Sequence, residues 1–185
     1  MADLLLAAVV LRRPEHALAA QVLSLALAGS VRVETAEPGP ALVLLDTPLG
    51  SEREQGAVEA LFGADAAPGA RVVLDPADDA LRTRLRAGAR RVLQGARRDG
   101  YLEPGRAHRL TEKGDALRAE LVALEDAVER EVADARAHDH VREHVSPGAL
   151  PWAVLFGHEP GWVPVDRRTV RFDVAAVRAA ADALA

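Results

Sequence analysis

One short stretch of the sequence matches a known catalytic pattern in residue type and spacing. The letters HVREH, residues 140–144, fit H-x-x-E-H, the zinc-binding pattern of inverted zinc peptidases. On a helix, His140 and His144 would share one face, and Glu143 could activate a zinc-bound water. The alternative is a solvated helix end rich in histidine and charge, because such enzymes also need a distant carboxylate ligand and a larger substrate chamber. We therefore predict no catalytic residue and no cofactor, and we keep His140 and His144 as candidate metal ligands.

A second candidate is the arginine-rich stretch at residues 82–98, which has apolar residues along one helical face. As the recognition helix of a winged unit, it could contact phosphates and base edges in the major groove, with two further arginines on the wing. In the alternative, nearby aspartates and the acidic helix that follows neutralise the arginines by packing alongside them. The candidate DNA-binding residues are Arg82, Arg86, Arg90, Arg91, Arg97, Arg106 and Arg109.

The third candidate is the segment LPWAVLFGHEPGW, residues 150–162, which holds both tryptophans of an aromatic-poor chain. Trp152, Phe156 and Trp162 could anchor a protein partner, since amphipathic aromatic side chains suit interfaces. They could instead clamp a proline-interrupted segment onto the helical body. We favour the clamp, because such a segment has few backbone hydrogen bonds to hold it in place.

Hydrophobic periodicity and capping residues predict the elements that position these candidates. Pro14 suits the first turn of a helix, Gly29 ends that helix, and Thr111 or a nearby acid can cap a later one. Helices are predicted at 3–12, 14–27, 51–62, 77–98, 111–137 and 174–184, with one or two helical turns at 153–157. Strands are predicted at 31–34, 41–45, 70–74 and 108–110.

This order of elements indicates a mainly helical α+β protein. It predicts two winged-helix-like units with short β-wings and a C-terminal helical segment. The first helix-helix-wing unit would occupy residues 1–49, and the second, with the long helix, residues 50–146. Residues 147–185 would form an aromatic and proline-rich closing segment with a terminal helix.

Composition narrows the function classes. At 185 residues and 49% hydrophobic, the chain is long enough to bury a core. The absence of cysteine excludes disulfides and thiolate sites, and a net charge of -5 disfavours a nucleic-acid-binding surface over the whole protein while allowing a local basic face. We read no signal peptide and no membrane span, so a cytoplasmic location is predicted.

Several motifs, taken in order, resemble those of a known family. They are LSLALAGSVRVE at 23–34, ALFG at 60–63, GY at 100–101, LTEKG at 110–114 and a late LPWA…G…W. Together they resemble the cytosolic C-terminal region of the bacterial "domain of unknown function 2207" family of predicted membrane proteins. The resemblance implies a fold and a cytosolic location but no reaction. The first 60 residues also resemble bacterial relatives of Golgi phosphoprotein 3, which are phosphoinositide-binding adaptors.

The sequence thus favours a non-catalytic bacterial cytosolic interaction or regulatory module built on winged-helix-like units. Its partner would be an unknown protein or a second copy of the chain, with duplex DNA as a further possibility. One alternative is a winged-helix transcriptional regulator that uses residues 82–98. The other is a phosphoinositide-type adaptor.

Overall fold

The fold is described from a computed structural model, which covers residues 3–46, 52–105, 109–137, 146–158 and 174–184. Within these ranges lie seven helices and three strands, so the protein is a mainly helical α+β protein, as predicted. The helices are α1 (Leu4–Leu11), α2 (Pro14–Leu27), α3 (Glu52–Phe62), α4 (Asp79–Arg98), α5 (Glu112–Ala137), α6 (Leu150–Phe156) and α7 (Val174–Leu184). The strands are β1 (Val31–Glu34), β2 (Ala41–Leu44) and β3 (Arg71–Val73).

Capping residues stand at the ends of the first two helices. The carboxylate of Asp3 accepts hydrogen bonds from the backbone N–H groups of Leu5 and Leu6 at 2.9 and 3.0 Å. Pro14 occupies the first turn of α2, and Gly29 follows that helix with a positive φ of 77°. The predicted boundaries of α2 are confirmed, and α1 is one residue shorter at each end than the predicted range 3–12.

The three strands form one antiparallel sheet in the order β1-β2-β3. Val31 faces Leu44 across the first pair, and Ala41 faces Val73 across the second. β3 falls in the second predicted unit but pairs with β2 of the first, so the sheet is built from both. The division into three domains stays a prediction.

The second predicted wing falls partly outside the described residues, so the returning strand predicted at 108–110 is described only from Arg109 onward. There the described residues show an antiparallel bridge between Leu102 and Leu110. Thr111, directly after Leu110, caps α5, since its hydroxyl oxygen accepts a hydrogen bond from the Gly114 N–H. The helix α5 therefore begins directly after this bridge.

One hydrophobic core runs through the sheet and the helices around it. All seven residues of α6 are buried, and this helix packs against α2, α5 and α1. A helix that is apolar on every side is stable only when surrounded, which explains its position. The terminal helix α7 packs on α2, where Val177, Ala181 and Leu184 are buried.

Candidate functional site

The arginine-rich helix α4 lies at the surface of the fold. Asp78 caps its first turn by accepting a hydrogen bond from the Leu81 N–H at 2.9 Å. Of its twenty residues only Leu81 and Ala96 are buried. The helix packs on α3 and α1, which leaves much of its circumference in solvent.

Four of its seven arginines have partners within the protein. Arg91 pairs with Glu59 of α3 at 3.0 Å, and Arg84 donates to the Leu61 carbonyl at 3.1 Å. Arg82 pairs with Asp79, and Arg98 with Asp99. The hydrogen bond to Asp99 and the charge of that carboxylate raise the pKa of the Arg98 guanidinium. These four side chains are engaged in local structure.

The other three arginines form what we call the arginine face: Arg86, Arg90 and Arg97. All three are exposed, and none makes an ion pair or side-chain hydrogen bond with any residue that the structure describes. At 3.6 residues per turn they fall within about 40° of one another and span about 16 Å along the helix. Gly88, which contacts Ala60 of α3, lies about 160° around the helix from Arg86. The arginine face therefore points away from α3.

The acidic helix α5 does not cover these arginines. It packs on α1 and α6, whereas α4 packs on α1 and α3. The neutralising contacts predicted from α5 are thus not the ones observed; Glu59, Asp79 and Asp99 supply the carboxylates instead. The wing residue Arg109 pairs with Glu103 at 3.2 Å, and Arg106 lies outside the described residues.

The GY and LTEKG motifs join α4 to α5 through specific backbone contacts. The Lys113 ammonium donates to the Asp99 carbonyl at 2.8 Å and lies 4.3 Å from the centre of the Tyr101 ring. The Thr111 hydroxyl donates to the Gly100 carbonyl, and a Cβ at Gly114 would lie 2.3 Å from the Tyr101 carbonyl oxygen. These residues fix the end of α4 against the start of α5, so they are structural.

The aromatic residues of the late segment lie inside the protein. Trp152 and Phe156 are 4% and 6% exposed, and their ring centres are 5.8 Å apart. Little of either ring is available to an outside partner, which agrees with a clamp that holds α6 on the helical body. Trp162 lies outside the described residues.

The candidate metal ligands His140 and His144 also lie outside the described residues. In the part of the chain that the structure does describe, no group of three or more histidine, aspartate or glutamate side chains is placed to hold a metal ion. The prediction for this pair is neither supported nor opposed.

Sequence reasoning missed a polar link beside α6. Both nitrogens at the tip of Arg13 bond the Glu125 carboxylate at 2.9 and 3.2 Å, and one also donates to the Phe156 carbonyl at 3.1 Å. The Nε2 of His158 lies 3.4 Å from the same carboxylate. This link connects the α1–α2 turn, α5 and the end of α6. No sequence signal pairs residues so far apart.

Sequence reasoning also missed an apolar groove between α1, α2, α3, α4 and α7. Its volume is about 360 Å³, and its lining includes Leu18, Ala57, Leu85, Val92 and Leu184. Gln21 lies within this lining, and Arg86 borders it. A signal did exist, since Gln21 and Ser24 are two polar residues within the otherwise apolar run ALAAQVLSLAL.

Comparison with known proteins adds no assignment: no protein-family model, curated protein or solved structure matches the chain. Among the described residues, no helix is both long and apolar enough to cross a membrane.

Proposed function

We propose that this protein is a non-catalytic regulatory module of bacterial type that binds a polyanionic partner through the arginine face of α4. One observation carries the proposal: Arg86, Arg90 and Arg97 are exposed and uncompensated on one side of a surface helix. Three aligned like charges repel one another, which disfavours the folded state slightly. A partner with regularly spaced negative charge removes that repulsion.

Among polyanions we favour duplex DNA, as for a winged-helix regulator. An exposed helix fits the major groove, which is about 12 Å wide, and arginine binds both phosphates and guanine edges. The bridge between Leu102 and Leu110, which follows α4, supports the comparison with a wing. Arg109, beside this bridge, is engaged with Glu103 and would contribute to binding only by exchanging that partner.

The two family resemblances suggest different contexts for the same surface. A relative of the "domain of unknown function 2207" proteins would act in the cytosol, beside a membrane. A relative of Golgi phosphoprotein 3 would direct the arginine face to phosphorylated inositol headgroups. We rank this adaptor below the DNA binder, because the arginines form a line along the helix rather than a cup around a single headgroup.

The test is binding of the full chain to a fluorescent mixed-sequence duplex and, separately, to vesicles with and without a phosphoinositide. We expect duplex binding at low salt, weakened at least tenfold by charge reversal in Arg90→Glu. Arg32→Glu, at an exposed strand position, is the matched control for net charge and should have a much smaller effect. Binding to phosphoinositide vesicles alone would favour the adaptor, and binding to neither would overturn the proposal.

A further inference from the structure

The apolar groove has the size and lining of a small-molecule site. Its volume of about 360 Å³ lies within the range of about 300–1,000 Å³ that is typical of ligand pockets. Five helices supply the lining residues that the structure describes, so helix packing sets the shape of this part of the groove. Small residues of α3 and α4, among them Ala57, Ala60 and Gly88, keep it open.

Gln21 brings a hydrogen-bonding side chain to the lining of this groove, and it also lines a neighbouring pocket. It is only 4% exposed, and its side chain makes no hydrogen bond to any residue that the structure describes. The Gln21 amide atoms are not among the fully buried unpartnered groups, so they keep contact with the solvent of the adjoining cavity. A bound polar atom would satisfy the amide.

Arg86 places a cation at the opening of the groove. Its side chain is exposed and unpaired within the described chain, while Ala89, one turn away, is an exposed lining residue. Glu15 also borders the groove, and its carboxylate lies 3.6 Å from the Nε2 of His16. The polar groups therefore lie at two depths: an amide at the buried end and a guanidinium at the mouth.

We propose that the groove binds an aliphatic carboxylic acid that carries a hydroxyl or carbonyl group on its chain. The carboxylate pairs with Arg86, the methylene chain covers the apolar walls, and the second polar group bonds the Gln21 amide. This site goes beyond the binding of a polyanion and does not rest on it. Arg86 belongs to both the groove and the arginine face, whereas Gln21 and Ala89 belong to the groove alone, so their variants test the groove separately.

Calorimetric titration of the full chain with three probes tests the site: decanoate, 10-hydroxydecanoate and decanol. We expect the hydroxy acid to bind about five- to tenfold more tightly than decanoate, as one added hydrogen bond to a buried amide predicts. Decanol, which cannot pair with Arg86, should bind more weakly than decanoate. Equal affinity for all three probes, or no binding of either acid, would overturn the proposal.

Three variants assign the binding to this groove. Gln21→Leu should abolish the preference for the hydroxy acid while retaining decanoate. Arg86→Gln should weaken both acids but not decanol, whereas Arg90→Gln, a matched change outside the groove, should leave all three unchanged. Ala89→Phe replaces an exposed residue and should block every probe without affecting the fold. Unaltered binding in Ala89→Phe would place the ligand elsewhere and contradict the proposal.

Discussion

Gly114 shows how one residue can fix the junction between two helices. It stands in the first turn of α5, where a Cβ would lie 2.3 Å from the Tyr101 carbonyl oxygen and 3.1 Å from the Leu110 Cβ. The first of these atoms belongs to the backbone and cannot rotate away. A side chain at this position therefore forces α5 away from the end of α4.

We predict that Gly114→Ala lowers the free energy of unfolding by about 1–3 kcal/mol, because overpacking against a backbone atom displaces the helix. Gly95→Ala is the matched control within α4, since a Cβ there meets no atom within 4 Å. That change should raise the free energy of unfolding by about 0.5–1 kcal/mol through helix propensity. Urea titration of both variants measures the difference, and effects of the same sign would contradict the described junction.

At the scale of elements, α6 is held by a charged link as well as by its apolar contacts. The Arg13 and Glu125 side chains are 30% and 18% exposed, so water screens their pairing only in part. The same guanidinium satisfies the Phe156 carbonyl at the end of α6. One arginine thus joins three parts of the fold, with bonds that lysine could not reproduce together.

Arg13→Ala should lower the free energy of unfolding by about 1–2 kcal/mol, because it leaves a partly buried carboxylate and a carbonyl without their donor. The pair between Arg32 and Glu34 is more exposed, with side chains at 44% and 36%. Arg32→Ala should therefore lower the free energy of unfolding by less than about 0.5 kcal/mol. Chemical denaturation compares the two variants. If both variants lost the same free energy of unfolding, the Arg13 link would stabilise the fold no more than a surface ion pair does.

The apolar contacts of α6 should contribute more than its charged link. Leu155 is fully buried, so Leu155→Ala is expected to lower the free energy of unfolding by about 2–5 kcal/mol. Val122 on α5 is 46% exposed, so Val122→Ala should change the free energy of unfolding by less than about 0.5 kcal/mol. Thermal unfolding of both variants checks the burial of α6; a small effect at Leu155 would contradict it.

For the whole molecule, local patterns predicted the elements well and their assembly less well. Periodicity and caps such as Pro14 and Gly29 are short-range signals, and they located the helices and the first two strands. The pairing of β3 with β2 depends on contacts between distant parts of the chain. The candidate arginines were identified from the sequence, but which of them have partners depends on how α3 packs against α4.

The charge distribution across the molecule follows from this packing. The net charge is -5, yet Arg86, Arg90 and Arg97 have no carboxylate partner among the described residues, so a basic face persists on an acidic protein. The global charge limits long-range attraction to DNA, and the local face determines where a polyanion would bind.

The salt dependence of duplex binding tests the arginine face most directly. Each phosphate contact that an arginine neutralises contributes about -0.9 to the slope of log K against log salt concentration. Replacing Arg86, Arg90 and Arg97 together with glutamine should therefore reduce the slope by about 2–3, while replacing the internally paired Arg84, Arg91 and Arg98 should reduce it less. An equal change in both triple variants, or no change in the first, would contradict the account.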